Sequence, residues 1–403
     1  MERPVQMRLL HVVGARPQFV KMAVVHRAIA RHTRDSSRTG RIEETICHTG
    51  QHYDTGMSRV FFDELGIPEP QRNLGVGSGA HGRQTGEMLA GLDAFLVEEP
   101  PDLVLTYGDT NSTLAAALAA AKRHVAVAHV ESGLRSCRKS MPEEVNRVLT
   151  DHVSTILFCP TETAVENLRK EGLGDPVAGG ALLAQNAVVL EGTATVDAPW
   201  IVNVGDVMYD SVLHHVGRAS EGASRWIVDL ARSEHALMTV HRAENTDDRD
   251  RLSEILEAAS DLAEEGLPVL FPAHPRTVAA MEAAGIVPRS ADVRVIEPLS
   301  YYDMLGLLRS ARIVLTDSGG VQREAFMLGR PCVTLRDETE WIELLKTGMS
   351  LLGGATRQRI VEAAHCLLSR GDAGPPPRLY GDGHAAERIV RVCLEWGRRS
   401  LAR

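Results

Sequence analysis

The chain lacks the spacings that signal a bound metal. Its six cysteines (Cys47, Cys137, Cys159, Cys332, Cys366 and Cys393) form no C-x-x-C pair, and its sixteen histidines form no H-E-x-x-H. Such scatter excludes a structural zinc site and a disulfide framework, so the thiols are read as free and buried or half-buried, with no metal ligand assigned. Apolar runs such as Leu103–Leu105 and Ala115–Ala121 are short and interrupted, well below the roughly 20 residues that a membrane-spanning helix needs. The opening MERPVQMRLLHVV leads into a strand-like run with no signal-peptide core or cleavage site. Basic tracts are also missing: 44 basic against 53 acidic residues give a net charge of −9, and no cationic face is left for nucleic acid. A cytoplasmic chain without nucleic-acid or membrane partners is expected.

What is present is the composition of an ordinary globular protein, 44% apolar and 24% charged over 403 residues, enough for a sizeable core in two or three domains. Strand-like runs alternate with amphipathic stretches: Leu9–Val13 then Pro17–Arg31, Leu103–Tyr107 then Asn111–Lys122, Val125–Val130 then Glu143–His152. That rhythm predicts βαβ units and a parallel sheet, and the absence of a period of two fits strands covered by helices on both faces. The second half repeats it with Leu237–Val240, Val269–Phe271, Val293–Ile296, Ile313–Leu315 and Cys332–Leu335. Its clearest helix is Asp247–Glu265, where Leu252, Ile255, Leu256, Ala259, Leu262 and Ala263 share one face and Gly266 follows the end. Between the halves, Gly172–Trp200 is irregular and rich in small residues. The expected division is an α/β domain over 1–200, a second over 201–378, and a final helix within 379–403 that returns to the first. Two such halves are expected to face each other across a cleft, with ligands outside the carboxyl ends of the strands.

Polar residues gather at those predicted strand ends. Ser318, Gly319 and Gly320 follow Ile313–Leu315 and open a helix; unpaired N–H groups and the helix dipole there suit a phosphate, although the same residues also describe a simple capped helix start. His241 follows Val240, and His274 stands one unit later after Val269–Phe271, which favours ligand contact over two unrelated structural histidines. Arg16 and Lys21 flank the first helix start and offer a planar fork and a point charge to an anion. Asp109, Glu131 and Glu143 lie at strand ends or a helix start of the first half. Grouped carboxylates in a closing site can work as base and acid, whereas singly Asp109 could cap a helix and Glu143 and Glu144 favour a first turn.

The segments GARPQFVK, TGQHYD, YGDTNST, HVESGLRS, MPEEVNR, PTETAVENL, NVGDVMYD, HRAEN, TDSGGVQREA and RDETEW occur in an order that resembles the non-hydrolysing UDP-N-acetylglucosamine 2-epimerases over nearly the full chain. The resemblance implies two Rossmann-like domains arranged as in GT-B glycosyltransferases, a homodimer, no cofactor, and interconversion of UDP-GlcNAc and UDP-ManNAc through loss of UDP and the 2-acetamidoglucal. By the same resemblance UDP lies on the second domain, with Ser318, Gly319 and Gly320 at its phosphates and Glu324 at its ribose. Arg16, His241 and Arg336 complete the diphosphate site, with Lys21 and His274 as further contacts, and the catalytic set is Asp109, Glu131, Glu143 and His241. Two alternatives stay open: a hydrolysing 2-epimerase that releases ManNAc and UDP, and a GT-B glycosyltransferase.

Overall fold

The structure, a computed structural model, describes residues 6–35, 40–51, 65–174, 181–184, 190–222, 233–371 and 376–401. The chain divides into two compact units, Met1–Ser211 with Leu379–Arg403, and Val212–Arg378. Each is built on its own parallel sheet.

In the first unit the strands are β1 (Gln6–Val13), β2 (Arg41–His48), β3 (Arg72–Asn73), β4 (Leu103–Tyr107), β5 (Ala126–Val130), β6 (Ile156–Cys159) and β7 (Trp200–Asn203). They pair in the order β3-β2-β1-β4-β5-β6-β7. The helices are α1 (Arg16–Asp35), α2 (His81–Glu98), α3 (Asn111–Lys122), α4 (Pro142–His152) and α5 (Glu162–Lys170), with α6 (Val207–Gly222) beginning here. Alanines explain how closely α3 packs: Ala115, Ala116 and Ala119 lie flat between Val104 and Val127 of the sheet and Met88, Leu92 and Phe95 of α2. Each large side chain so buried contributes about 1.5–3 kcal/mol.

The expected boundary at residue 200 is corrected here, because β7 pairs in parallel with β6 and belongs to the first sheet. The division falls after Ser211. The terminal helix, numbered last along the chain, is held in this unit by Asp210, whose carboxylate accepts the Ala385 and Ala386 N–H groups at 3.1 and 2.7 Å. An acid at a helix N-terminus meets orphan donors and the positive end of the dipole.

A polar triad links β1, β2 and α1. Glu44 accepts from His11 at 3.0 Å and from His26 at 3.1 Å. Burial pushes the Glu44 carboxyl up, but the two histidines outweigh it and hold it at about 2, against an ordinary 4.5. On acidification the unfolded chain is protonated first at this position, so the stabilisation is whole above about pH 4.5 and is lost as pH falls through about 2. Acid unfolding of the protein and of Glu44→Gln should therefore converge across that window; a constant difference between the two curves would contradict the assignment.

In the second unit β8 (Ala236–Thr239), β9 (Val269–Pro272), β10 (Val293–Ile296), β11 (Ile313–Thr316), β12 (Cys332–Thr334) and β13 (Ser350–Leu352) pair in the order β10-β9-β8-β11-β12-β13. Its helices are α7 (Ala243–Thr246), α8 (Arg249–Glu264), α9 (Pro275–Ala284), α10 (Tyr301–Ser310), α11 (Gly319–Met327), α12 (Ile342–Lys346) and α13 (Arg357–Ser369), and the returning helix of the first unit is α14 (Ala385–Leu401). Leu252, Ile255, Leu256, Ala259 and Leu262 of α8 bury their shared face with Met238, Phe271, Leu315 and Val333 in one core. The helix starts two residues later than expected, since Asp248 caps it by accepting from Asp250 and Arg251.

Both sheets reverse their strand order between two central strands, β1 beside β4 and β8 beside β11. Ligands of doubly wound sheets bind at such switch points. The cysteines are all free; Cys47, Cys159, Cys332 and Cys393 are buried, whereas Cys137 and Cys366 are exposed, which corrects the expectation for those two. Cys137 stands in a loop and Cys366 on the solvent side of α13. Among the described residues no helix is long and apolar enough to cross a membrane, and no group of three or more His, Cys, Asp and Glu could hold a metal ion.

Candidate active site

In the first unit the switch point joins the turn after β1 to the turn after β4. Gln18 makes that join: its Oε1 accepts the Gly14 and Ala15 N–H groups, and its Nε2 donates to the Tyr107 carbonyl at 2.9 Å. Arg16 stands half-buried at the start of α1. Lys21, one turn on, is buried, and its Nζ lies 2.7 Å from Glu131 Oε2. Glu131 follows β5 with φ +77°, a conformation that costs a non-glycine residue about 1–3 kcal/mol and persists where the surroundings over-determine it.

Asp109 follows β4 with its side chain 29% exposed, and its carboxylate is paired with Arg147 of α4. It does not cap α3; Thr110 does, through a reciprocal pair with Thr113. Asn146, also on α4, donates to the Asp109 carbonyl at 2.9 Å. Of the two adjacent acids on α4, Glu144 is buried and accepts the Ser136 and Cys137 N–H groups and Arg147, whereas Glu143 is half-buried in the first turn. Glu144 holds the preceding loop.

In the second unit the switch point carries His241 after β8 and Asp317 after β11. Asp317 accepts the His241 and Arg242 N–H groups at 3.0 Å and the Asn245 amide at 3.1 Å. Its Oδ1 also lies 3.0 Å from His241 Nδ1, while the His241 side chain stays 43% exposed. Burial pushes the Asp317 carboxyl up, yet His241 and the backbone N–H groups outweigh it and hold it below the usual range. Engaged at Nδ1, the imidazole presents its Nε2 edge.

Ser318 caps α11 by accepting from Val321 N. Gly319 allows a close approach, since a Cβ there would lie 2.8 Å from Glu340 Oε1 and 3.1 Å from Trp341 Nε1. Gly320 is half-buried beside it, and Glu324 is buried one turn further along α11. Arg336 is buried and donates to Glu340 at 2.8 Å, with Glu244 at 3.4 Å from its Nε. His274 is exposed and caps α9 by accepting from Arg276 N; its ring centre is 6.5 Å from that of His241.

The structure therefore brings Lys21, Glu131, Asp109 and Arg147 to one switch point, and His241, Ser318, Gly319 and Gly320 to the other. Asp317, Arg147 and Asn146 were not singled out from the sequence. Their signal was position alone: Asp317 lies between a strand and a capping serine, and Arg147 sits one turn beyond the paired glutamates. Residues 52–54 of TGQHYD fall outside the described residues, as do 175–180 and 185–189 of the irregular segment and 372–375.

The UDP-N-acetylglucosamine 2-epimerase family matches residues 34–394. The chain belongs to this family. It is 46% identical, over 95% of its length and 98% of the relative's, to the UDP-2,3-diacetamido-2,3-dideoxy-D-glucuronate 2-epimerase of Pseudomonas aeruginosa. With the UDP-N-acetylglucosamine 2-epimerase of Methanocaldococcus jannaschii it shares 37% over 97% of its length and 100% of the relative's. The crystal structure of the Methanocaldococcus jannaschii UDP-GlcNAc 2-epimerase with UDP-GlcNAc and UDP superposes with a TM-score of 0.83, at 36% identity, covering 96% of this chain and 100% of that one. The family's two parallel-sheet α/β domains are thus those described above.

Asp317→Asn provides a direct check on the second switch point, because an amide N–H₂ would face N–H donors that now meet a carboxylate. Leaving such donors unsatisfied costs about 1–3 kcal/mol. Amide hydrogen exchange at His241 and Arg242 should quicken about tenfold to a hundredfold, with unfolding still cooperative; unchanged exchange would mean that Asp317 does not hold this turn.

Proposed function

We propose that the protein inverts C2 of a UDP-linked 2-acetamido sugar, interconverting UDP-GlcNAc and UDP-ManNAc. A carboxylate takes the C2 proton, the C–H electron pair becomes the C1=C2 double bond of 2-acetamidoglucal, and the C1–O bond breaks with its electrons leaving on UDP. Protonation of C2 on the opposite face and return of the UDP oxygen to C1 complete the reaction. The acid–base groups are Asp109, Glu131 and Glu143, and the diphosphate is held by His241, Arg336, Ser318 and the N–H groups of Gly319 and Gly320, with Glu324 at the ribose. Charge builds on the leaving diphosphate as the C1–O bond breaks, and fixed N–H donors and cations stabilise it without reorganising.

The observation that carries this reading is the pair of carboxylates at neighbouring strand ends, each with its own cation: Glu131 with Lys21 and Asp109 with Arg147. Two acids held in different surroundings are what a proton removal on one face and a proton return on the other require. Incubation with UDP-GlcNAc in D₂O, without NAD or added metal, should yield UDP-ManNAc with deuterium at C2 by NMR. Turnover that keeps protium at C2 would reject elimination, and accumulation of free ManNAc would assign the hydrolysing alternative.

A second substrate is favoured by the higher identity to the Pseudomonas aeruginosa relative, 46% against 37% for the Methanocaldococcus jannaschii one. UDP-2,3-diacetamido-2,3-dideoxy-glucuronate carries the same C2 acetamido group and UDP leaving group, so the same chemistry serves it. The ratio of kcat/KM for the two sugars decides between them.

A further inference from the structure

We propose that Asp151 is a positioning residue that sets the turns carrying Glu131 and Asp109, acting through His129, Gly133 and Arg135; this rests on the roles proposed above for those two acids. Asp151 is fully buried in the last turn of α4. An acid there faces the negative end of the helix dipole, so its burial needs strong compensation. It has three donors, one from each of three places around Glu131. Its Oδ1 lies 2.6 Å from His129 Nδ1, two residues before Glu131. Its Oδ2 accepts the Gly133 N–H at 3.1 Å and Arg135 Nη1 at 2.7 Å, two and four residues after it.

Between those anchors the backbone is forced into an uncommon path. Glu131 has φ +77° and Gly133 φ +79°, and a Cβ on Gly133 would lie 2.3 Å from the Ala164 carbonyl oxygen. Both the Glu131 and Ser132 N–H groups converge on the Phe158 carbonyl at 3.1 Å. A carboxylate that binds on both sides of such a turn holds it against relaxation, and with it the direction in which the Glu131 side chain leaves the sheet.

The same carboxylate reaches Asp109 by a second route. His129 Nε2 donates to the Gly108 carbonyl at 2.7 Å, and Gly108 is the residue before Asp109. Both ring nitrogens of His129 thus face acceptors, a carboxylate and a carbonyl, and the ring bridges β5 to the turn after β4. Arg135 extends the support outward, donating from Nε and Nη2 to Glu171 at 2.7 and 2.8 Å. The bonds of Asp151 go to the His129 and Arg135 side chains and the Gly133 N–H, on either side of Glu131, and its effect passes through them.

The test is a kinetic cycle with Asp151→Asn, Glu131→Gln and the double variant, together with UDP titration and amide hydrogen exchange. Asp151→Asn should lower kcat about tenfold to a hundredfold, the range for groups that orient catalytic residues, while UDP affinity stays within about twofold. In the Glu131→Gln background it should cost clearly less than in the parent, since only the route through His129 to Asp109 then remains. Equal losses in both backgrounds, or a parallel fall in UDP affinity, would reduce Asp151 to a general structural residue. His129→Asn is the second variant: its amide can still donate to Asp151 but cannot reach Gly108, so it should lower kcat and lose additivity with Asp109→Asn. Exchange of the Gly133 amide should quicken at least about tenfold in Asp151→Asn whether or not either sugar is turned over. Unchanged exchange overturns the hub, whereas normal hub behaviour without turnover of either sugar overturns the proposed function.

Discussion

Glu131→Gln, Asp109→Asn and Glu143→Gln should each lower kcat by roughly 10²–10⁴, the usual worth of a positioned acid or base, and leave UDP binding nearly intact. The substitutions keep shape and volume while removing the capacity to exchange a proton. For Glu131 the geometry is specific: its carboxylate is buried against Lys21, on a turn whose backbone is held at positive φ. For Asp109 the partner is Arg147, and the carboxylate keeps more access to solvent. The two residues differ in burial and in cation, so they need not lose equally, and the variant that still washes deuterium into C2 of the starting sugar retains the base. UDP titration separates chemistry from nucleotide binding. Turnover near that of the parent in all three variants would sink the assignment of the acid–base set.

Much of the second unit was legible because its strongest signals are local. The single apolar face of α8 and the run Val293–Ile296 need no distant partner to be read, and β10 has the bounds expected for it. The strand β2 was not read, and the reason is physical: RIEETICH places Glu43 and Glu44 in mid-strand, where charge argues against burial until His11 and His26 arrive from other elements. The boundary at 200 failed for a related reason, since β7 follows an irregular segment and declares its sheet only by pairing with β6. In the site, short motifs at strand ends showed where polar chemistry gathers. They did not show who pairs with whom. Asp151 reads as an ordinary acid near a helix end, and Asp317 as the residue before a cap; only the fold gives each its ring of donors. Lys21 carried the same ambiguity, a cation near a helix start that suits a phosphate as well as a carboxylate.

Lys21→Met decides that ambiguity, and its expected effect is large. The ammonium and the Glu131 carboxylate have side-chain exposures of only 5% and 7% and lie 2.7 Å apart. Removing one partner of such a pair takes the cation 2.7 Å away from a buried carboxylate, at a cost of about 3–5 kcal/mol, and a buried carboxylate that loses its cation favours its neutral form. Lys21→Met should therefore unfold at markedly lower denaturant or temperature and lose turnover, because Glu131 would no longer be held as a charged group in its present position. The double variant Lys21→Met/Glu131→Gln should recover most of the stability, since both charges are then removed, while turnover stays lost. UDP affinity should change little in either variant. If Lys21 instead serves the diphosphate, the result reverses: UDP binding weakens about tenfold or more, as for a lost charged hydrogen bond, stability is nearly unchanged, and Glu131→Gln does nothing to compensate. A fall in stability without recovery in the double variant would mean that the methionine is poorly packed among the neighbours of α1, and Lys21→Gln, shorter and neutral, would then carry the same comparison of UDP affinity against turnover.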